Sequence, residues 1–120
     1  MSDLTPNSTS KRWLITLTGG TDQASVLRAG TDLALAAGAF GQQVTLAFVG
    51  DALKLLTSPP PRDDALHRLL GSLPFYEIDT VHALAPSDVP LPFRDDLNIV
   101  RMSPEDWTTA AENADIVVNY

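Results

Sequence analysis

The sequence contains no cysteine. That excludes a disulfide framework, a thiolate zinc site, an iron–sulfur cluster and a thiol nucleophile on this chain, so any sulfur chemistry it joins uses a partner's sulfur. Positive charge is scarce: eight Lys and Arg stand against fifteen Asp and Glu, a formal charge of −7. Eight scattered cations build no broad basic face, which argues against direct binding of DNA or RNA through phosphates. Long apolar runs are lacking too. No stretch approaches the roughly 20 residues that span a bilayer, and residues 1–11 are polar where a signal peptide is apolar. A cytoplasmic location follows as the expectation.

What the sequence does hold is the composition of a globular protein, with 44% hydrophobic and 19% charged residues in 120. A chain of this length has material for one core. Residues 1–10 are polar and without period and read as a flexible leader, leaving 11–120 as a single domain.

Residues 13–18 are rich in β-formers and stop at Gly19 and Gly20, which makes them the first strand. Asp22 or Ser25 then caps a helix whose Val26, Gly30, Leu33, Ala37 and Phe40 recur at helical spacing, with Arg28, Thr31 and Asp32 elsewhere on the wheel. Gly38 or Gly41 ends it. Residues 44–49 form a second strand, 51–56 a short helical piece, and Asp63 or Asp64 restarts a helix carrying Leu66, Leu69 and Leu70. Phe75 and Tyr76 lead into a strand over 78–84, and three prolines make 85–96 a loop. A fourth strand spans 97–102. Ser103, Pro104, Glu105 and Asp106 are a helix start, with a capping hydroxyl, proline in the first turn and acids at the positive end of the dipole. Trp107, Ala110 and Ala111 face the sheet, and 115–120 form the last strand. Strands alternating with helices mean a parallel α/β sheet with right-handed crossovers, whose ligands sit beyond the carboxyl ends of the strands.

Few residues carry chemistry. Loop 18–21 can offer free amides at a helix start, so Gly19, Gly20 and Thr21 are a candidate anion-binding loop. A small-ligand or flavin-binding module of flavodoxin type is the alternative function built on it. Asp51 lacks the companion acids and lysine of a phosphoacceptor site and reads as a helix cap. His67 and His82 have no partners at metal-ligand spacing and read as structural, and no metal or cofactor is expected. Asp95 and Asp96 read as a solvated loop, and no nucleophile elbow is present, so no catalytic residue is assigned. Phe75, Tyr76 and Phe93 are interface candidates, because aromatics are effective anchors.

Four segments, TDLALAAGAF (31–40), VTLAFVGDALKLL (44–56), LGSLPFYEI (70–78) and ADIVVNY (114–120), carry a resemblance. In order and spacing they are similar to the DsrE/DsrF-like sulfur-relay family, most closely its TusC (DsrF-like) branch. The resemblance implies a three-layer α/β/α fold with a five-stranded, mainly parallel sheet. It also implies a place beside TusB-like and TusD-like subunits in a TusBCD-type (DsrEFH-type) complex, a dimer of heterotrimers that passes persulfide sulfur between carrier proteins. In the Tus system that sulfur reaches 2-thiouridine of tRNA, and in sulfur-oxidising bacteria the related complex serves dissimilatory sulfur metabolism. The transferring cysteine of that complex belongs to the TusD-like subunit at the end of strand three, where this chain has Leu84. Asp51, Ala52 and Leu53 replace the family's Asp-Gly-Val, and Ala29 stands where an acid is usual. The implied role is a non-catalytic, structural subunit.

Overall fold

The two longest strands come from the apolar runs flanking the first helix: β1 (Arg12–Leu17) and β2 (Gln43–Val49) pair in parallel, from Arg12 opposite Gln43 to Leu17 opposite Phe48. The computed structural model describes residues 10–19, 24–57, 65–85 and 90–120. The other elements are α1 (Ala24–Ala39), a 3-10 helix (Gly50–Leu56), α2 (Ala65–Leu70), a second 3-10 helix (Leu73–Tyr76), β3 (Thr80–Leu84), β4 (Asn98–Arg101), α3 (Pro104–Asn113) and β5 (Ile116–Asn119). All strand pairings are parallel, and the order across the sheet is β4-β3-β2-β1-β5. The three-layer α/β/α architecture is the one expected. The leader up to Thr9, the caps at Asp22, Asp63 and Asp64, and Gly20 and Thr21 of the candidate anion loop lie outside the described residues.

Handedness explains the layering. Right-handed crossovers that step in one direction across a sheet lie on one face, and a crossover that returns lies on the other. Here β1, β2, β3 and β4 follow one another outward, and β4 to β5 returns to the far edge. Accordingly α1, α2 and the strap at Phe93 and Leu97 pack on one face, over Ile15, Leu17, Leu46, Phe48, Val81 and Ala83. Among the described residues only α3 lies on the other, against Leu14, Ala47 and Met102.

The ends of the elements follow local chemistry. At α3 the Ser103 hydroxyl accepts from the Asp106 amide at 3.0 Å while the Asp106 carboxylate accepts from the Ser103 amide at 3.2 Å, a reciprocal cap with Pro104 in the first turn. Gly41 ends α1 with φ +79°, which a side chain would disfavour. Asp51 does not cap: Val49 holds the N-cap position, no side chain bonds to it, and Asp51 sits exposed in the first turn.

The buried face of α1 differs from the expected stripe. Gly30 and Ala37 are buried as read, but Val26 and Phe40 are exposed, while Leu27, Ala34 and Thr31 fill the core. Small residues set this rotation. A Cβ on Gly30 would collide with Leu17 and Tyr120, and one on Gly38 with the Tyr76 carbonyl, so the helix turns its glycines toward its neighbours. Thr31 is tolerated because its hydroxyl donates to the Leu27 carbonyl one turn back, at 2.9 Å. Among the described residues no helix is long and apolar enough to cross a membrane.

Candidate functional site

The carboxyl rim of the sheet is where α/β folds place ligands, and Leu84 stands on it. β3 ends at Leu84, opposite Val49 of β2. The Leu84 side chain is half-buried and joins Trp107 against the Leu14, Ala47 and Met102 cluster. Trp107 is fixed by its indole N–H, which donates to the buried Thr16 hydroxyl at 3.0 Å. Leu84 therefore packs as a side chain of the core margin and offers no group that accepts or releases sulfur.

The loop after β1 is engaged with its own sheet. The Thr18 amide and hydroxyl both donate to the Tyr120 carbonyl, each at 2.9 Å, and Gly19 is buried. Both Thr18 donors are thereby taken, while Gly20 and Thr21 of the candidate loop lie outside the described residues. Among the described residues no cluster of three His, Asp or Glu could hold a metal ion.

The aromatic candidates separate. Phe93 is half-buried against the main core, bridges Thr57, and carries the Arg101 guanidinium 5.3 Å above its ring. Phe75 and Tyr76 occupy the second 3-10 helix instead of leading directly into β3, and Phe75 is 86% exposed. Glu77 then takes the left-handed conformation, φ 69°, its amide donating back to Leu73 and Pro74 as the chain turns toward β3. Beside this turn a shallow groove of about 490 Å³ runs between Glu77 and the end of α1, along Gly38, Ala39 and Gly41 to Val44. Phe40, at that end of α1, is 82% exposed. Sequence reasoning set Phe40 in the core stripe; its place immediately before Gly41, past the last full turn, is the signal that marks it as outward.

A buried polar network was not legible as such. Arg94 is almost fully buried and binds both Asp96 oxygens, at 2.6 and 2.7 Å, while its Nη1 donates to the Leu55 carbonyl at 3.2 Å and its amide to Leu56 at 2.8 Å. His67 borders the network, its Nε2 3.3 Å from the Thr57 carbonyl, and is buried. Asp96 is thus no free loop carboxylate: the hydrogen bond from Arg94 holds its pKa below the ordinary value. Gly71 makes room, since a Cβ there would sit 3.1 Å from Asp96 Oδ2. The arrangement straps the segment before β4 to the 3-10 helix after β2 and is structural. His82 stands apart on β3, half-buried, with its pKa lowered by desolvation and no hydrogen bond to it among the described residues.

Comparison with family models and with curated proteins gives no match. Among solved structures, the crystal structure of the ychN protein from E. coli superposes with a TM-score of 0.70 at 17% identity, covering 92% of this chain and 99% of that one. In fold, this chain is similar to YchN. YchN has a DsrE/DsrF-like fold, so the architecture implied by the sequence resemblance is the one found. The identity with YchN supports the fold and not a particular subunit type or role.

Proposed function

We propose that this chain is a non-catalytic structural subunit of a sulfur-relay complex, of TusC (DsrF-like) type, assembled with TusB-like and TusD-like partners as a dimer of heterotrimers in the cytoplasm. The observation that supports the reading is a DsrE-like fold built from a sequence without a single cysteine. Sulfane sulfur moves when a thiolate attacks the outer sulfur of a persulfide, so that the donor leaves as a thiolate and the acceptor becomes the new persulfide. Leu84 occupies the strand end where the resemblance implies a cysteine in the TusD-like subunit, and leucine forms no persulfide. The role left to this chain is shape: it supports the partner whose cysteine carries the sulfur toward tRNA 2-thiouridine. Phe75 and Tyr76, with Phe40, supply exposed apolar anchors for such partners.

The test is recovery of the tagged chain from its native host, with intact mass of the complex. The expected result is co-purification with TusB-like and TusD-like subunits, two copies of each chain. Isolation without them overturns the proposal, as does transfer of sulfane sulfur by this polypeptide alone.

A further inference from the structure

Side chains alternate across a strand, so Arg12 stands on the same face of β1 as Leu14 and Thr16, the face on which α3 packs. The parallel register sets Gln43 opposite Arg12 and Thr45 opposite Leu14. The last turn of α3 adds Ala110 and Asn113, and a cleft of about 140 Å³ is left at this corner, at the amino ends of β1 and β2. Leu14 and Ala110 form its apolar wall, and Arg12, Gln43, Thr45 and Asn113 its polar one. Among the described residues the Gln43, Thr45 and Asn113 side chains make no hydrogen bond. The Arg12 amide donates to the Asp115 carboxylate at 2.9 Å, but the guanidinium comes no closer to it than 3.7 Å, from Nε, which is beyond hydrogen-bond length. An exposed ion pair of that length is weak, so both Nη groups remain available.

We propose that this cleft binds a short-chain aliphatic carboxylate, with the carboxylate on the Arg12 guanidinium and the alkyl tail against Leu14 and Ala110. A planar guanidinium presents paired donors at the spacing of two carboxylate oxygens, and the Gln43 and Asn113 amides and the Thr45 hydroxyl add donors around it. Size selects a small molecule. Water takes about 30 Å³ in the liquid, so the space corresponds to roughly five non-hydrogen atoms, the size of propionate. Charge selects a monoanion. In a chain of −7, two of the eight cations, Lys11 and Arg12, lie beside Asp115 at this corner, and Glu112 does not line the cleft. One guanidinium among neutral amides matches a single negative charge better than a phosphate dianion. The carbonyl end of α3 opposes an anion, but its field is screened where the cleft opens to solvent, whereas a bidentate contact acts at hydrogen-bond range. The inference does not depend on the sulfur-relay reading, since the cleft lies at the amino end of the sheet and Leu84 at the carboxyl rim.

The experiment is proton–nitrogen correlation NMR of the isotopically labelled full chain, titrated with sodium propionate at constant ionic strength, with propionamide, sodium phosphate and sodium chloride in parallel. Propionate is expected to give saturable shifts at the amides of Arg12, Gln43, Thr45 and Asn113, with a Kd below about 10 mM, as suits a ligand of so few atoms. Propionamide, which has the same shape without the charge, is expected to bind about tenfold more weakly or not at all. Arg12→Gln keeps the backbone bond to Asp115 and is expected to weaken propionate about tenfold with the rest of the spectrum unchanged. Thr45→Val is expected to weaken it about two- to threefold, and Arg28→Gln, at an exposed position on α1, not at all. Shifts that never saturate overturn the proposal, as do shifts that propionamide, phosphate or chloride reproduce at the same concentration. So does binding that Arg12→Gln leaves unchanged, or saturable shifts that map to the carboxyl rim around Leu84 instead.

Discussion

On one face of the sheet, α1, α2 and the strap before β4 close over Phe48, Leu17, Leu46 and Val81 until almost nothing of them is exposed. On the other, α3 buries none of its own residues completely, and Val100 and Val117 stay 44% and 42% exposed. Both faces belong to the same strands, so strand propensity does not separate them. Connectivity does: three successive steps in one direction stack their crossovers on one side, and the single return leaves the other, among the described residues, with one short helix. The difference teaches that the buried core, and with it folding stability, is concentrated on the α1 side.

Substitutions can break that comparison. Phe48→Ala, in the centre of the covered face, is expected to cost about 3–5 kcal/mol in urea unfolding, because a fully buried ring leaves a cavity behind. A loss below about 1 kcal/mol, in the range of an ordinary surface change, would show that this face does not carry the core. Arg94→Ala should cost about 2–3 kcal/mol: it removes a buried guanidinium that serves the Leu55 carbonyl and Asp96, although half-exposed Asp96 regains water and softens the loss.

On the α3 side, Trp107→Phe deletes the indole donor to the Thr16 hydroxyl and is expected to cost about 1 kcal/mol with the fold intact. Asp96→Asn sharpens the account of the strap through pH. Its carboxyl pKa is lowered, chiefly by the Arg94 hydrogen bond, so its contribution is complete above the ordinary carboxylate value near 4 and is lost as pH falls through the depressed folded value. The stability gap between wild type and Asp96→Asn should therefore be present at pH 7 and close in acid; a gap that persists unchanged to the acid limit rules out the ionised pair as its source. Val100→Ser, at an exposed position, is expected to change stability by less than about 0.5 kcal/mol. An effect as large as that of Phe48→Ala would erase the distinction between the faces.

Most of the architecture was legible because its signals are local. Strands appear as apolar runs bounded by Gly19, Gly20, Gly41 and Gly50, and the start of α3 is written in Ser103, Pro104 and Asp106. The rotation of α1 was not legible, because it depends on which small residues, Gly30 and Gly38, meet Leu17 and the turn at Tyr76. Nor was the strap: Arg94 and Asp96 are two residues apart, but the carbonyls that Arg94 also serves lie 38 and 39 positions away, at Leu56 and Leu55. Of the site candidates, Leu84 could be placed at a strand end from sequence, whereas the separation of exposed Phe75 from half-buried Phe93 needed the folded chain.

By itself the sequence determined the order of the elements, the α/β class and the absence of any thiol, since each follows from residue type and spacing along the chain. Tertiary structure alone decided which face of the sheet is sealed, which aromatics reach solvent and which carboxylate finds a buried arginine. Those outcomes depend on where a crossover passes and which backbones touch, and that geometry exists only once distant segments have met.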